Sequence, residues 1–101
     1  MSGPPDLPVP EEPTELRRRT RALAQQAPER AAAQLDAAEW VAAPLWARWG
    51  PALEPAGMSR ARFLQVVAGY RRELWLWVMG ERTWAQCAAG LAGRVCRRLA
   101  P

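Results

Sequence analysis

Proline and glycine cut this chain into short pieces, and that punctuation limits what it can fold into. Pro13, Pro28, Pro44, Gly50-Pro51, Pro55-Ala56-Gly57 and Gly80 each start, stop or bend a helix. They leave four helical candidates, over about residues 14–27, 29–43, 59–79 and 83–99. No stretch sustains strand alternation, and β-branched side chains are few: six Val, three Thr and no Ile. The predicted fold class is therefore all-α, a small three- or four-helix bundle over residues 14–101. The stretch 1–13, MSGPPDLPVPEEP, holds five of the ten prolines and few core-forming side chains. It reads as a disordered, acidic, proline-rich tail.

Helical periodicity fills in the candidates. Thr14 is placed to cap the first, whose apolar stripe is thin: Leu16, Thr20, Leu23 and Ala27. Pro28 either opens a second helix or kinks a continuous one. In the second candidate Ala31, Leu35, Ala38 and Ala42 share a face, with Trp40 opposite. Pro44 ends or bends that helix, Leu45 to Trp49 add at most one turn, and residues 51–57 read as a loop. The third candidate carries the clearest pattern. Ser59 caps it, Gly80 stops it, and Phe63, Val67, Tyr70, Leu74 and Trp77 recur at spacings of 4, 3, 4 and 3. In the fourth, Thr83 is the cap and Trp84, Ala88, Leu91, Val95 and Leu99 form the stripe. The short turn at Gly80 predicts that the last two helices form a C-terminal antiparallel hairpin.

All fourteen basic residues are arginine; Lys, Asn, Ile and His are absent. These missing types have AT-leaning codons, so a GC-rich genome explains the arginines as well as any recognition chemistry does. The charge distribution is more informative. Residues 1–15 carry four acids and no arginine, whereas residues 16–101 carry fourteen arginines against six acids. An acidic tail on a basic body points to an anionic partner or to a solvated arginine face.

Without histidine the commonest general base and metal ligand are missing. Cys87 and Cys96 fall on opposite sides of one helix, roughly 13 Å apart along its axis, which suits neither a disulfide nor a zinc site. Free thiols fit a reducing, cytoplasmic setting. Glu73 and Glu81 have arginine neighbours and read as solvated ion pairs. No phosphate-binding glycine motif occurs. The expectation is a protein that is not an enzyme and uses no cofactor. The longest apolar run, Leu74 to Met79, is too short to span a bilayer, and arginines and apolar residues are not segregated into a lipid-facing helix, so a membrane role is disfavoured.

Six tryptophans in 101 residues remain to be explained. Trp77 and Trp84 lie on the main stripes and are expected in the core. Trp75 and Leu76 fall off the stripe. Together with Met79, with Arg72 at the rim and Trp46 or Trp49 beside them, they form the candidate surface for another protein or a second copy of the chain. The leading expectation is an accessory or regulatory protein acting through protein–protein binding or self-association. The alternative is a nucleic-acid-binding regulator that contacts phosphates through Arg17, Arg18, Arg21, Arg94, Arg97 and Arg98.

Overall fold

The computed structural model describes residues 6–36 and 39–99, the side chains of residues 34–40 excepted. Expectations for Leu35, Ala38 and Trp40 therefore fall outside the described residues. The fold is all-α. Six helices and no strand occur among the described residues: α1 (Thr14–Gln26), α2 (Pro28–Asp36), α3 (Glu39–Leu53), α4 (Arg60–Ala68), α5 (Arg71–Val78) and α6 (Trp84–Arg97).

The additional helices arise where local signals were outweighed. Pro28 occupies the first position of α2, where its missing N–H costs nothing. Pro13, not Thr14, is the N-cap of α1, and no side chain caps that end. α3 runs through both Pro44 and Pro51, so Pro44, expected to end or bend a helix, does not end it, and the loop expected over 51–57 is helix as far as Leu53 and turn from 54 to 57. An interior proline costs about 3 kcal/mol. Against this, Val41, Leu45, Trp49 and Leu53 recur every fourth residue and are all buried. Each such side chain contributes roughly 1.5–3 kcal/mol. Both prolines sit on the exposed side of the helix, where their rings disturb no packing.

The helix expected over 59–79 is two helices, interrupted at Gly69-Tyr70. Its stripe survives the break: Phe63, Val67, Tyr70, Leu74 and Trp77 are all buried. Arg94 of α6 fills the gap. Its Nη1 donates to Gly69 O at 2.9 Å, and its guanidinium lies 5.2 Å from the centre of the Tyr70 ring.

The other caps follow the sequence. Ser59 Oγ accepts from Arg62 N at 3.1 Å. Thr83 and Gln86 form a reciprocal capping box at the start of α6. At the end of α5, Gly80 N donates to Trp77 O at 3.0 Å and Glu81 N to Leu76 O at 2.8 Å. These two bonds make a Schellman motif, which needs the left-handed φ of 83° that Gly80 adopts.

α5 packs against α1, α2 and α6; α6 also packs on α4, and α4 on α3. The core draws on α3 to α6, with Val41, Leu45, Trp49, Phe63, Leu74, Trp77, Leu91 and Val95 among its members. Leu16 of α1 is partly buried against it. No helix among the described residues is long and apolar enough to cross a membrane.

Candidate functional site

A tryptophan that is buried still has to satisfy its indole N–H. Trp49 on α3, Trp77 on α5 and Trp84 on α6 place their rings in the core, with exposures of 1%, 0% and 7%. Their N–H tips converge on one irregular stretch, residues 6–13. Trp49 Nε1 donates to Pro8 O at 2.8 Å, Trp84 Nε1 to Pro10 O at 2.7 Å, and Trp77 Nε1 to the Glu12 carboxylate at 2.9 Å. The acceptors thus fall at every second residue of the strap.

The rings are braced from behind. Trp77 and Trp84 pack with centroids 4.8 Å apart, and Trp49 meets Phe63 edge-on at 6.2 Å. Leu7 is partly buried against the core. Pro10 and Pro13 share a small hollow with Val41, Leu45 and Trp84. Val9 points outward and is 49% exposed. Beside the strap, an open groove brings Glu11, Glu12 and Glu15 together with Arg19 and Arg48. Arg17 Nε donates to Trp77 O at 2.9 Å and fixes α1 to the end of α5 just where the strap enters the helix.

The stretch read as a disordered tail thus lies, over residues 6–13, on the body of the protein; residues 1–5 are outside the description. Its apolar side chains alone are too few to predict this. A proline-rich segment, however, offers carbonyls that its own backbone leaves unpaired; Trp49 and Trp84 use two of them, and Trp77 uses the Glu12 carboxylate. The available signal was the set of core tryptophans with no acceptor assigned.

The residues proposed from sequence are placed as follows. Arg72 is exposed, while Trp75 and Leu76 on α5 and Met79 at its C-cap are each half-buried; α1 and α2 pack against α5. Trp46 is half-buried on Phe63, with centroids 5.3 Å apart. Trp49 is buried and belongs to the strap contact, not to an open face. Among the described residues Val9 is the exposed large apolar side chain.

The six arginines of the nucleic-acid alternative fall into two groups. Arg17 and Arg21 reach the Gly80 turn at the start of α6, and Arg18 is paired with Glu15. Arg94, Arg97 and Arg98 lie at the other end of α6, about 20 Å away for a helix of this length. There Arg94 and Arg98 join Arg62 around a shallow basin whose lining includes no acid.

Polar chemistry elsewhere is sparse. Neither Cys87 nor Cys96 forms a disulfide. Burial, reinforced by the nearby Glu73 and opposed by Arg82, pushes the Cys87 thiol from 9.0 up to about 12, so it is protonated and unreactive at neutral pH. Glu73 Oε2 lies 2.9 Å from Arg82 Nε; the approach is an ion pair without hydrogen-bond alignment. No group of three or more His, Cys, Asp or Glu side chains placed to hold a metal occurs among the described residues. In comparisons with known proteins, no family model, curated protein or solved structure matches this chain.

Proposed function

We propose that this chain is a non-enzymatic accessory protein that works by protein–protein binding in the cytoplasm. The observation that carries the reading is the convergence of three indole N–H groups, from three helices, on a segment with no regular secondary structure. Such a surface holds an extended chain by its backbone, a recurrent way of recognising peptides. On this reading α5 and α6 act as an antiparallel hairpin at the centre of a small bundle and supply two of the three indoles. The half-buried Trp75, Leu76 and Met79 serve chiefly to seat α5, with Arg72 left at the edge.

A peptide array tests it. The full-length chain is applied to immobilised peptides that vary in proline content and charge, beside a Trp49→Phe/Trp84→Phe variant that keeps the rings and loses two donors. Retention of a subset of peptides, weakened several-fold in the variant, is the expected result. If nothing is retained and the chain is a monomer at every concentration, the reading fails.

One observation favours the nucleic-acid alternative: the basin of Arg62, Arg94 and Arg98. Phosphate contacts there predict binding to generic DNA or RNA that falls steeply as salt rises. No binding at low salt removes that alternative.

A further inference from the structure

The strap is itself a ligand seated in a site. It is held by donors on three helices, its two backbone acceptors sit at prolines, and its third acceptor is a carboxylate. Those are requirements on a peptide, and residues 6–13 are one peptide that meets them. Resting on the protein-binding reading above, we propose that the Trp49–Trp77–Trp84 cradle is a docking site for an acidic, proline-containing segment of a partner protein, with residues 6–13 as its built-in competitor.

Three features support this occupant. Prolines hold the chain open before binding and reduce the entropy lost on docking. Charge is complementary: Glu11 and Glu12 of the strap share their groove with Arg19 and Arg48, and Arg17 stands beside Glu12 near the α5–α6 turn. The strap also has few apolar anchors. Leu7 is its one partly buried aliphatic side chain among the described residues, while Val9 faces solvent. The contact is therefore two hydrogen bonds to neutral carbonyls, each worth about 0.5–1.5 kcal/mol net, and one to a carboxylate, worth about 1.5–3 kcal/mol, with partial apolar burial of Leu7, Pro10 and Pro13. Holding the strap in place relies on tethering, which supplies an effective concentration on the order of millimolar. A partner that repeats the pattern and adds one apolar anchor can displace it.

The test uses a synthetic peptide, DLPVPEEPTE, titrated into two full-length proteins and followed by tryptophan emission. One protein is the native chain. The other carries Leu7→Gly, Pro10→Gly and Glu12→Ala, which loosen the strap without touching the cradle. The loosened chain is expected to keep its helicity and bind the peptide saturably. The native chain should bind at least ~10-fold more weakly, as its cradle is free only a small fraction of the time. A scrambled peptide, or one with the glutamates changed to glutamine, should bind more weakly than the original.

Equal binding by the two proteins overturns the proposal, and so does equal binding of the scrambled peptide. Loss of helicity in the loosened chain makes the strap an integral part of the fold and also overturns it. The single Glu12→Ala variant then measures how much of that loss comes from the Trp77 contact. If the loosened chain dimerises instead, the occupant is a second copy and the proposal is overturned. Should the array retain only basic or proline-free peptides in a Trp-dependent way, this proposal falls while protein binding stands.

Discussion

Gly90 stands directly against the hydroxyl of Tyr70. A Cβ placed at position 90 would lie 2.2 Å from that oxygen, closer than any tolerated contact. Tyr70 is 5% exposed and its ring is covered by Arg94, so it has little room to retreat. Gly90→Ala should therefore destabilise the protein by about 1–3 kcal/mol through overpacking, although alanine is intrinsically the better helix residue by roughly 1 kcal/mol. Thermal or urea unfolding measures this. Adding Tyr70→Phe should recover most of the loss, and a double-mutant cycle gives the coupling.

Arg94 does two jobs with one side chain, hydrogen-bonding Gly69 O and covering Tyr70. Arg94→Met should cost about 2–4 kcal/mol, the sum of a charged hydrogen bond and a cation–π contact. Arg94→Lys should rescue little, because a point charge cannot span both partners. If lysine restores the unfolding midpoint fully, the planar geometry does not matter.

Thr20 is fully buried and its hydroxyl has no partner. Thr20→Val removes that stranded group at nearly constant shape. The expected gain is about 1–2 kcal/mol, read as a higher unfolding midpoint with unchanged slope.

The two thiols should behave oppositely. In the native state a water-soluble disulfide reagent should modify Cys96 within minutes and leave Cys87 untouched; in denaturant it should count both. Cys87 also sets an alkaline dependence. Its folded pKa of about 12 lies above its ordinary 9.0, so the unfolded chain gives up this proton first. Stability is full below pH 9.0 and falls as pH rises toward 12. The raised Tyr70, also shifted chiefly by burial, acts in the same direction. Cys87→Ala should flatten the decline measured by denaturant titration between those limits.

Much of the fold was legible in the sequence because its signals were local. Ser59, Gly80 and Thr83 lie where a cap, a left-handed turn and a capping box require them, and the Phe63 to Trp77 stripe is buried as its spacing implies. Where the reading failed, a tertiary term outweighed a local one. Val41, Leu45, Trp49 and Leu53 form a buried row that Pro44 and Pro51 conceal, since an interior proline is locally a helix boundary. Gly69 sits mid-stripe, and its break is stabilised by an arginine 25 residues away, beyond any local pattern. The cradle was half visible: Trp77 and Trp84 were assigned to the core from their stripes. What their N–H groups bond to depends on residues more than 60 positions distant, which periodicity does not reach.

That separation also has a consequence in time. Pro10 leaves the ribosome 74 residues before its donor, Trp84. The strap is synthesised before the three helices that hold it, so its full docking waits for α6, and closing so long a loop is slow compared with forming any one helix. During synthesis the proline-rich segment is accessible to other molecules and the emerging indoles are accessible to other segments. The order in which the strap and α6 are made thus leaves an interval in which the cradle is not yet closed by its own strap.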